Sequence, residues 1–360
     1  MSEQIKKIKT AIKNIEDKNF SLLFFVYDTK GAPNGSLAYI YETAYQLAEE
    51  GYKVKMLYAD KDFVGVESWL GDKYSSLPHE LIDKDATITV SPSDFLFIPE
   101  IYSSVMSATK SLPCKRVVLI QNLSYLADTC PMGVSFEDLK IRDFITTSEG
   151  LKARIQRLFP VSKIDVVRRS IPSYFVQNNE TKKLIVNVVS HSQNDVNSII
   201  KSFYWRFPQY KWVIFRPISN IERHEFADEL SNSVATIWCD TSTDFGQVAL
   251  ECMAANNIVI GKIPSDEPDW LYRNGELINN GVWFYNNFDA ADIIASVVDS
   301  FLHNSIPQIV FDEMKNTVSN YTEEKQKDEI ISVYSSIIEN RKQELEKILT
   351  HYENKEKEEK

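Results

Sequence analysis

The chain of 360 residues contains no apolar run near the roughly 18 residues that a bilayer span requires. Its opening stretch, SEQIKKIKTAIKNIEDKN, is charged and holds no apolar signal core, so a cytoplasmic setting is expected. Cysteine is scarce. The four residues, Cys114, Cys130, Cys239 and Cys252, show no CxxC spacing, which suits a reducing compartment and argues against structural zinc. Positive charge is in deficit. A formal net charge of −11 opposes general binding to nucleic-acid backbones, which relies on lysine and arginine. The basic pairs Lys6-Lys7, Lys115-Arg116 and Arg168-Arg169 read as solvated faces. His79, His224, His303 and His351 lack metal-ligand spacing. The D-x-D strings Asp60-Lys61-Asp62 and Asp83-Lys84-Asp85 lie in polar, irregular sequence and read as loops, so no required metal is expected. GxGxxG is also missing, which leaves a dinucleotide site without support.

What is present is strand–helix alternation, twice. The length suits two domains, and a hydrophobic fraction of 43% is that of a globular protein. Residues 3–16 repeat isoleucine at helical spacing, and Ser21 to Tyr27 is a continuous apolar run, the mark of a strand buried on both faces. A loop, Gly31-Ala32-Pro33-Asn34-Gly35-Ser36, then leads into a helix from Leu37 to Glu50, with Ser36 as the expected cap. Strands are expected at 53–58, 87–90, 94–98, 116–121, 144–147 and 165–168; the polar segment 60–85 is not placed. A second series alternates strands at 184–189, 211–216 and 234–239 with helices at 194–206 and 221–231. The expected domains are 1–170 and 184–320, joined by a polar linker at 171–183. An amphipathic helix follows over 321–350, packing across both domains, and 351–360 reads as a disordered charged tail. The aromatic cluster Tyr204, Trp205, Phe207, Tyr210 and Trp212 reads as core.

The most informative stretch is DTSTDFGQVALECMAANNIVIG, Asp240 to Gly261. A polar loop opens onto a helix at Gln247, and a strand follows from Asn257. Such a helix start gathers unpaired N–H groups and partial positive charge, which favours an anion such as phosphate. Gly246 lets backbone and ligand approach closely. Glu251 lies four residues past Gln247, on the same helix face, where a carboxylate can accept two vicinal hydroxyls. An ordinary capped helix is the plain alternative reading of the same residues.

The run Thr243-Asp244-Phe245-Gly246-Gln247-Val248-Ala249-Leu250-Glu251-Cys252-Met253-Ala254 resembles the donor motif E-G-F-G-x-x-x-L-E-A-M-A of group 1 glycosyltransferases with the GT-B fold. ITTSEGLKARI and DVVRRSIP are similar to further segments of that family, and the loop at 31–36 resembles its loop after the first strand. The resemblance implies an α/β architecture of two Rossmann-like domains facing across a cleft, with a C-terminal helix crossing back. It implies sugar transfer from a nucleotide-diphosphate sugar, a co-substrate rather than a cofactor, with retention of configuration. Phe245, Gly246 and Gln247 would hold the phosphate and Glu251 the ribose. Gly35, Ser36 and Gln121 would line the acceptor side. Three departures stand out. Thr243 replaces the first glutamate, Gln121 replaces a histidine, and the loop SHSQND lacks the family's arginine and lysine, with Asn194 near the lysine position. His191 and Arg216 are the nearest substitutes, Arg216 first, with Arg168 and Arg169 also near strand ends. Trp270 is a candidate to stack on a base or sugar. On this reading Glu251→Ala weakens donor binding and leaves the melting temperature nearly unchanged.

The expected function is therefore sugar transfer to a glycan, lipid or protein hydroxyl. A non-catalytic GT-B-like binding or partner subunit is the rival, favoured by the missing glutamate, arginine and lysine. A modified base in DNA is the further alternative acceptor; it requires a basic groove.

Overall fold

The apolar runs of the first half become parallel strands buried on both faces. In the computed structural model, which describes residues 3–82, 88–176, 181–190, 192–219, 221–240, 245–264 and 268–358, the chain divides into two units. One comprises Met1–Thr147, Leu151–Val167 and Lys327–Lys360; the other comprises Ser148–Gly150 and Arg168–Gln326. The first runs α1 (Glu3–Glu16), β1 (Ser21–Phe25), α2 (Gly35–Glu49), β2 (Lys53–Tyr58), α3 (Glu67–Leu70), β3 (His79–Leu81), β4 (Phe95–Pro99), α4 (Ser103–Ala108), β5 (Lys115–Ile120), α5 (Leu123–Thr129), β6 (Asp143–Thr146), α6 (Glu149–Leu158) and β7 (Lys163–Val166). Its sheet has seven strands in the order β3-β2-β1-β4-β5-β6-β7, all parallel. The order reverses between β1 and β4, and crevices for ligands form outside strand carboxyl ends at such a reversal.

The second unit runs β8 (Lys183–Val189), α7 (Gln193–Arg206), β9 (Ile214–Pro217), α8 (Arg223–Asn232), β10 (Ser233–Trp238), α9 (Gln247–Ala254), β11 (Ile258–Lys262), the hairpin β12 (Tyr272–Arg273) and β13 (Glu276–Leu277), β14 (Val282–Phe284), α10 (Asp289–Leu302) and α11 (Gln308–Val318). Its five-stranded parallel sheet is ordered β14-β11-β10-β8-β9, so the reversal falls between β8 and β10. The last helix, α12 (Glu323–Glu358), lays Ile330, Tyr334, Ile337 and Leu345 into the core of the first unit.

Several expectations change. Asn34, not Ser36, caps α2: its Oδ1 accepts from the Leu37 N–H at 2.9 Å. The unplaced segment supplies β3, whereas residues 88–90, expected as strand, are irregular. Asp83-Lys84-Asp85 lies outside the described residues. The stretch 171–176 is no free linker. It contains a short turn at Ser173–Phe175, and Ile171 and Phe175 are buried in the second unit's core. Residues 351–358, read as a disordered tail, are helical, because glutamate and lysine are good helix formers and Glu353 pairs with Lys9 of α1. Trp205 and Trp212, read as core, are largely exposed.

Candidate functional site

The start of α9 is built around one glycine. Gly246 has φ of +70°, which only glycine adopts without cost. A Cβ there would also meet the Trp270 ring at 2.6 Å. Trp270, expected near a ligand, is instead buried beneath this turn, and its indole N–H donates to the Phe245 carbonyl at 2.7 Å. The close approach at Gly246 is thus made by a tryptophan. Phe245 is buried, with Tyr321 edge-on at 5.5 Å and the Arg169 guanidinium 5.7 Å from its ring centre. Gln247 is half-buried and donates to the Ser170 carbonyl at 3.3 Å and to Glu251 Oε1 at 2.8 Å.

Glu251 differs most from expectation. Its exposure is 0%, and Oε1 also accepts from the Arg223 guanidinium at 2.6 Å. Among the described residues, Oε2 is buried without a hydrogen-bond partner. The carboxylate, expected open to vicinal hydroxyls, is folded inward because a cation sits over it. Arg223, the first residue of α8, reaches Glu251 across the Phe175 ring, 5.1 Å from its centre, and stays 32% exposed. Burial alone lowers the guanidinium's pKa; the Glu251 carboxylate and the Tyr174 hydroxyl outweigh it and leave it raised. The outcome is a buried acid with one satisfied oxygen and a partly exposed arginine above it, at the first turn of α9.

Beside this turn, at the carboxyl ends of β8, β10 and β11, lies a second cation. Lys262 closes β11 and donates to Asp195 Oδ1 at 3.0 Å, and Asn287 donates to the same oxygen at 2.6 Å. Cys239 follows β10; burial pushes its thiol up to about 12, with the Asp195 charge adding and Lys262 opposing. Arg216, the first choice for a diphosphate cation, does not join this group: it pairs with Glu229 of α8. His191 and Thr243 lie outside the described residues. Sequence reasoning missed Arg223 because no motif marks it. Lys262 was available to it, as the residue ending an apolar strand whose carboxyl end faces the crevice.

In the first unit, three expected residues converge. Gln121 follows β5 and is 7% exposed, and its Nε2 donates to the Ser36 carbonyl at 3.0 Å, in the first turn of α2 beside Gly35. Its Oε1 is buried and has no hydrogen-bond partner among the described residues. Its backbone N–H and that of Asn122 both donate to the Glu100 carboxylate, at 3.1 and 3.0 Å. Tyr27 donates to Asn34 at 2.8 Å, and Lys30 holds the same loop by pairing with Asp28 and Asp60. Burial pushes the Asp28 carboxyl up, but hydrogen bonds from Lys30 and the Val64 N–H prevail and hold it below the ordinary value. The Asp60-Lys61-Asp62 string is therefore anchored to the loop after β1 through Asp60.

The sequence matches no family model, and no curated protein matches it significantly. Solved structures do match. A glycosyltransferase from Rickettsia africae superposes with a TM-score of 0.64 at 13% identity, over 89% of this chain and 99% of that one. Sucrose-phosphate synthase from Thermosynechococcus elongatus gives 0.65 at 10% identity over the same shares, 89% and 99%. The pneumococcal O-GlcNAc transferase, solved with UDP and GlcNAc, gives 0.62 at 10%, again over 89% and 99%. At these identities the likeness defines the fold, and the fold is that of the GT-B glycosyltransferases.

Proposed function

We propose that the chain is a glycosyltransferase that moves a sugar from a nucleotide-diphosphate sugar to an acceptor hydroxyl. The observation that carries this reading is the Arg223–Glu251–Gln247 constellation on the first turn of α9, in a chain of GT-B fold. Backbone N–H groups at that turn meet the leaving diphosphate, and Arg223 and Arg169 neutralise it, in the role that the arginine and lysine missing from residues 190–195 would have filled. On this reading Arg169 and Arg223, the latter shared with Glu251, supply the countercharge, and no metal is invoked. Glu251 is a positioning residue that fixes Arg223. Gln121 offers its unpartnered Oε1 to the acceptor hydroxyl beside Gly35 and Ser36. Retention, with the leaving diphosphate assisting the incoming hydroxyl, is what the family resemblance implies for this reading. The four free cysteines accord with a cytoplasmic setting. A net charge of −11 ranks glycan, lipid or protein acceptors above DNA.

The test is a panel of nucleotide sugars assayed for hydrolysis and transfer, UDP-sugars first because the pneumococcal transferase was solved with UDP. Arg223→Ala should lower turnover by about 100-fold, the scale of losing one charged donor at a developing oxyanion. A second reading, a nucleotide-binding but non-catalytic subunit, is favoured by one observation: Glu251 lies sealed beneath Arg223 while Thr243 stands where the family has its first glutamate. Tight UDP binding without hydrolysis or transfer of any donor would select that reading.

A further inference from the structure

At the amino-terminal ends of β5 and β6 lies an open pocket of about 440 Å³ that the sugar-transfer reading does not use. Its lining is basic: Lys110, Lys115, Arg116, Lys140, Arg142 and Arg341, against only Asp143 and Glu344. This stands out in a chain with a net charge of −11. The two acids are already engaged. Lys115 takes both Asp143 and Glu344 at 2.7 Å, and Arg341 shares Glu344 at 3.3 Å. Lys110, Lys140 and Arg142 are exposed; among the described residues no salt bridge holds Lys140 or Arg142, and Lys110 has only the charge of Asp138 near it. Arg116 is 8% exposed, yet its guanidinium meets only carbonyls: Met106 at 3.0 Å, Leu139 at 2.8 Å and Lys140 at 3.0 Å. A buried cation with no anionic partner is costly, and an anion entering the pocket would offset that cost.

We infer that this pocket is a second ligand site, specific for a phosphate-bearing group and separate from the site at α9. It lies at the opposite end of β5 from Gln121, about 20 Å away for a strand of this length. A phosphate here gains a positive field that needs no rearrangement of the core, since Lys110, Lys140 and Arg142 stand at the rim. The source is either a soluble phosphorylated compound or the headgroup of an anionic lipid, and both present the same chemistry.

The experiment titrates pyrophosphate into the full chain by calorimetry and, separately, sediments the chain with phosphatidylglycerol vesicles. The test variant is Lys140→Asn with Arg142→Gln. Asparagine suits position 140, where φ is +53°. Arg223→Ala is run in parallel to remove any pyrophosphate held at α9. Pyrophosphate affinity should fall about tenfold in the double variant, a change of about 1.4 kcal/mol, and should persist in Arg223→Ala. Vesicle binding lost in the double variant identifies a lipid headgroup; pyrophosphate binding without vesicle binding identifies a soluble ligand. Absence of both kinds of binding, or pyrophosphate binding that only Arg223→Ala removes, overturns the inference and leaves the transferase reading untouched.

Discussion

At Glu251 the chain buries a carboxylate and leaves half of it unsatisfied. Natural cores avoid such groups unless they serve something. Its removal therefore has a stability consequence that the motif alone does not reveal. Glu251→Ala strips Arg223 and Gln247 of their shared acceptor and should destabilise the protein by about 2 kcal/mol, below the value for a fully buried pair because Arg223 is partly solvated. Thermal denaturation checks this, and an unchanged melting temperature would show that the pair is dispensable. Gly246→Ala is expected to cost about 2 kcal/mol or more, since a left-handed backbone and the Trp270 ring both oppose a side chain there. His79 gives a pH-dependent prediction. Burial lowers its ring pKa, against the Leu77 carbonyl and the Glu67 charge, and Tyr41 hydrogen-bonds Nε2 at 2.8 Å. The unfolded chain takes up the proton near 6.5 while the folded chain still resists it, so stability falls as pH drops through and below that value. Urea midpoints at about pH 7.5 and about pH 5.5 should differ more for the wild type than for His79→Gln.

Among the elements, α12 carries the clearest energetic statement. Tyr334 is buried against Phe24 and Phe97, with ring centres 6.1 and 4.9 Å away, and its hydroxyl has no hydrogen-bond partner among the described residues. Burial raises its pKa well above the ordinary value. Tyr334→Phe removes the orphaned hydroxyl and should be neutral or stabilising by about 1 kcal/mol, whereas Tyr334→Ala should cost about 3–5 kcal/mol. Denaturant titration separates the two. The helix itself was legible from its isoleucine and tyrosine stripe, but not its end, because a stripe reports burial and the last turns are held by charge pairs such as Lys9–Glu353. The apolar run at 21–27 and the strands expected at 94–98 and 116–121 located β1, β4 and β5 to within two residues, since a strand buried on both faces leaves little choice of residue. β3 escaped notice because it is short and half-buried, with a histidine and a glutamate among its residues.

For the whole molecule, two doubly wound units follow from the repeated alternation of strand and helix, and the structural matches agree with that architecture. The candidate site was less legible. Gln121 and Ser36, both placed on the acceptor side, are in contact, because strand order brings the loops after β1 and β5 to the same sheet end. Arg216 misled, since a cation near a strand end says nothing about the acid waiting on the next helix, here Glu229. Arg223 was invisible, because its role depends on a contact with a residue 28 positions later. The central claim is that this arginine, placed over Glu251, receives the diphosphate of a sugar donor. Isothermal titration of UDP into the wild type and Arg223→Ala tests it most directly. The account predicts saturable binding to the wild type that weakens at least tenfold in the variant, about 1.4 kcal/mol or more; equal affinity for both, or no binding to the wild type, would contradict it.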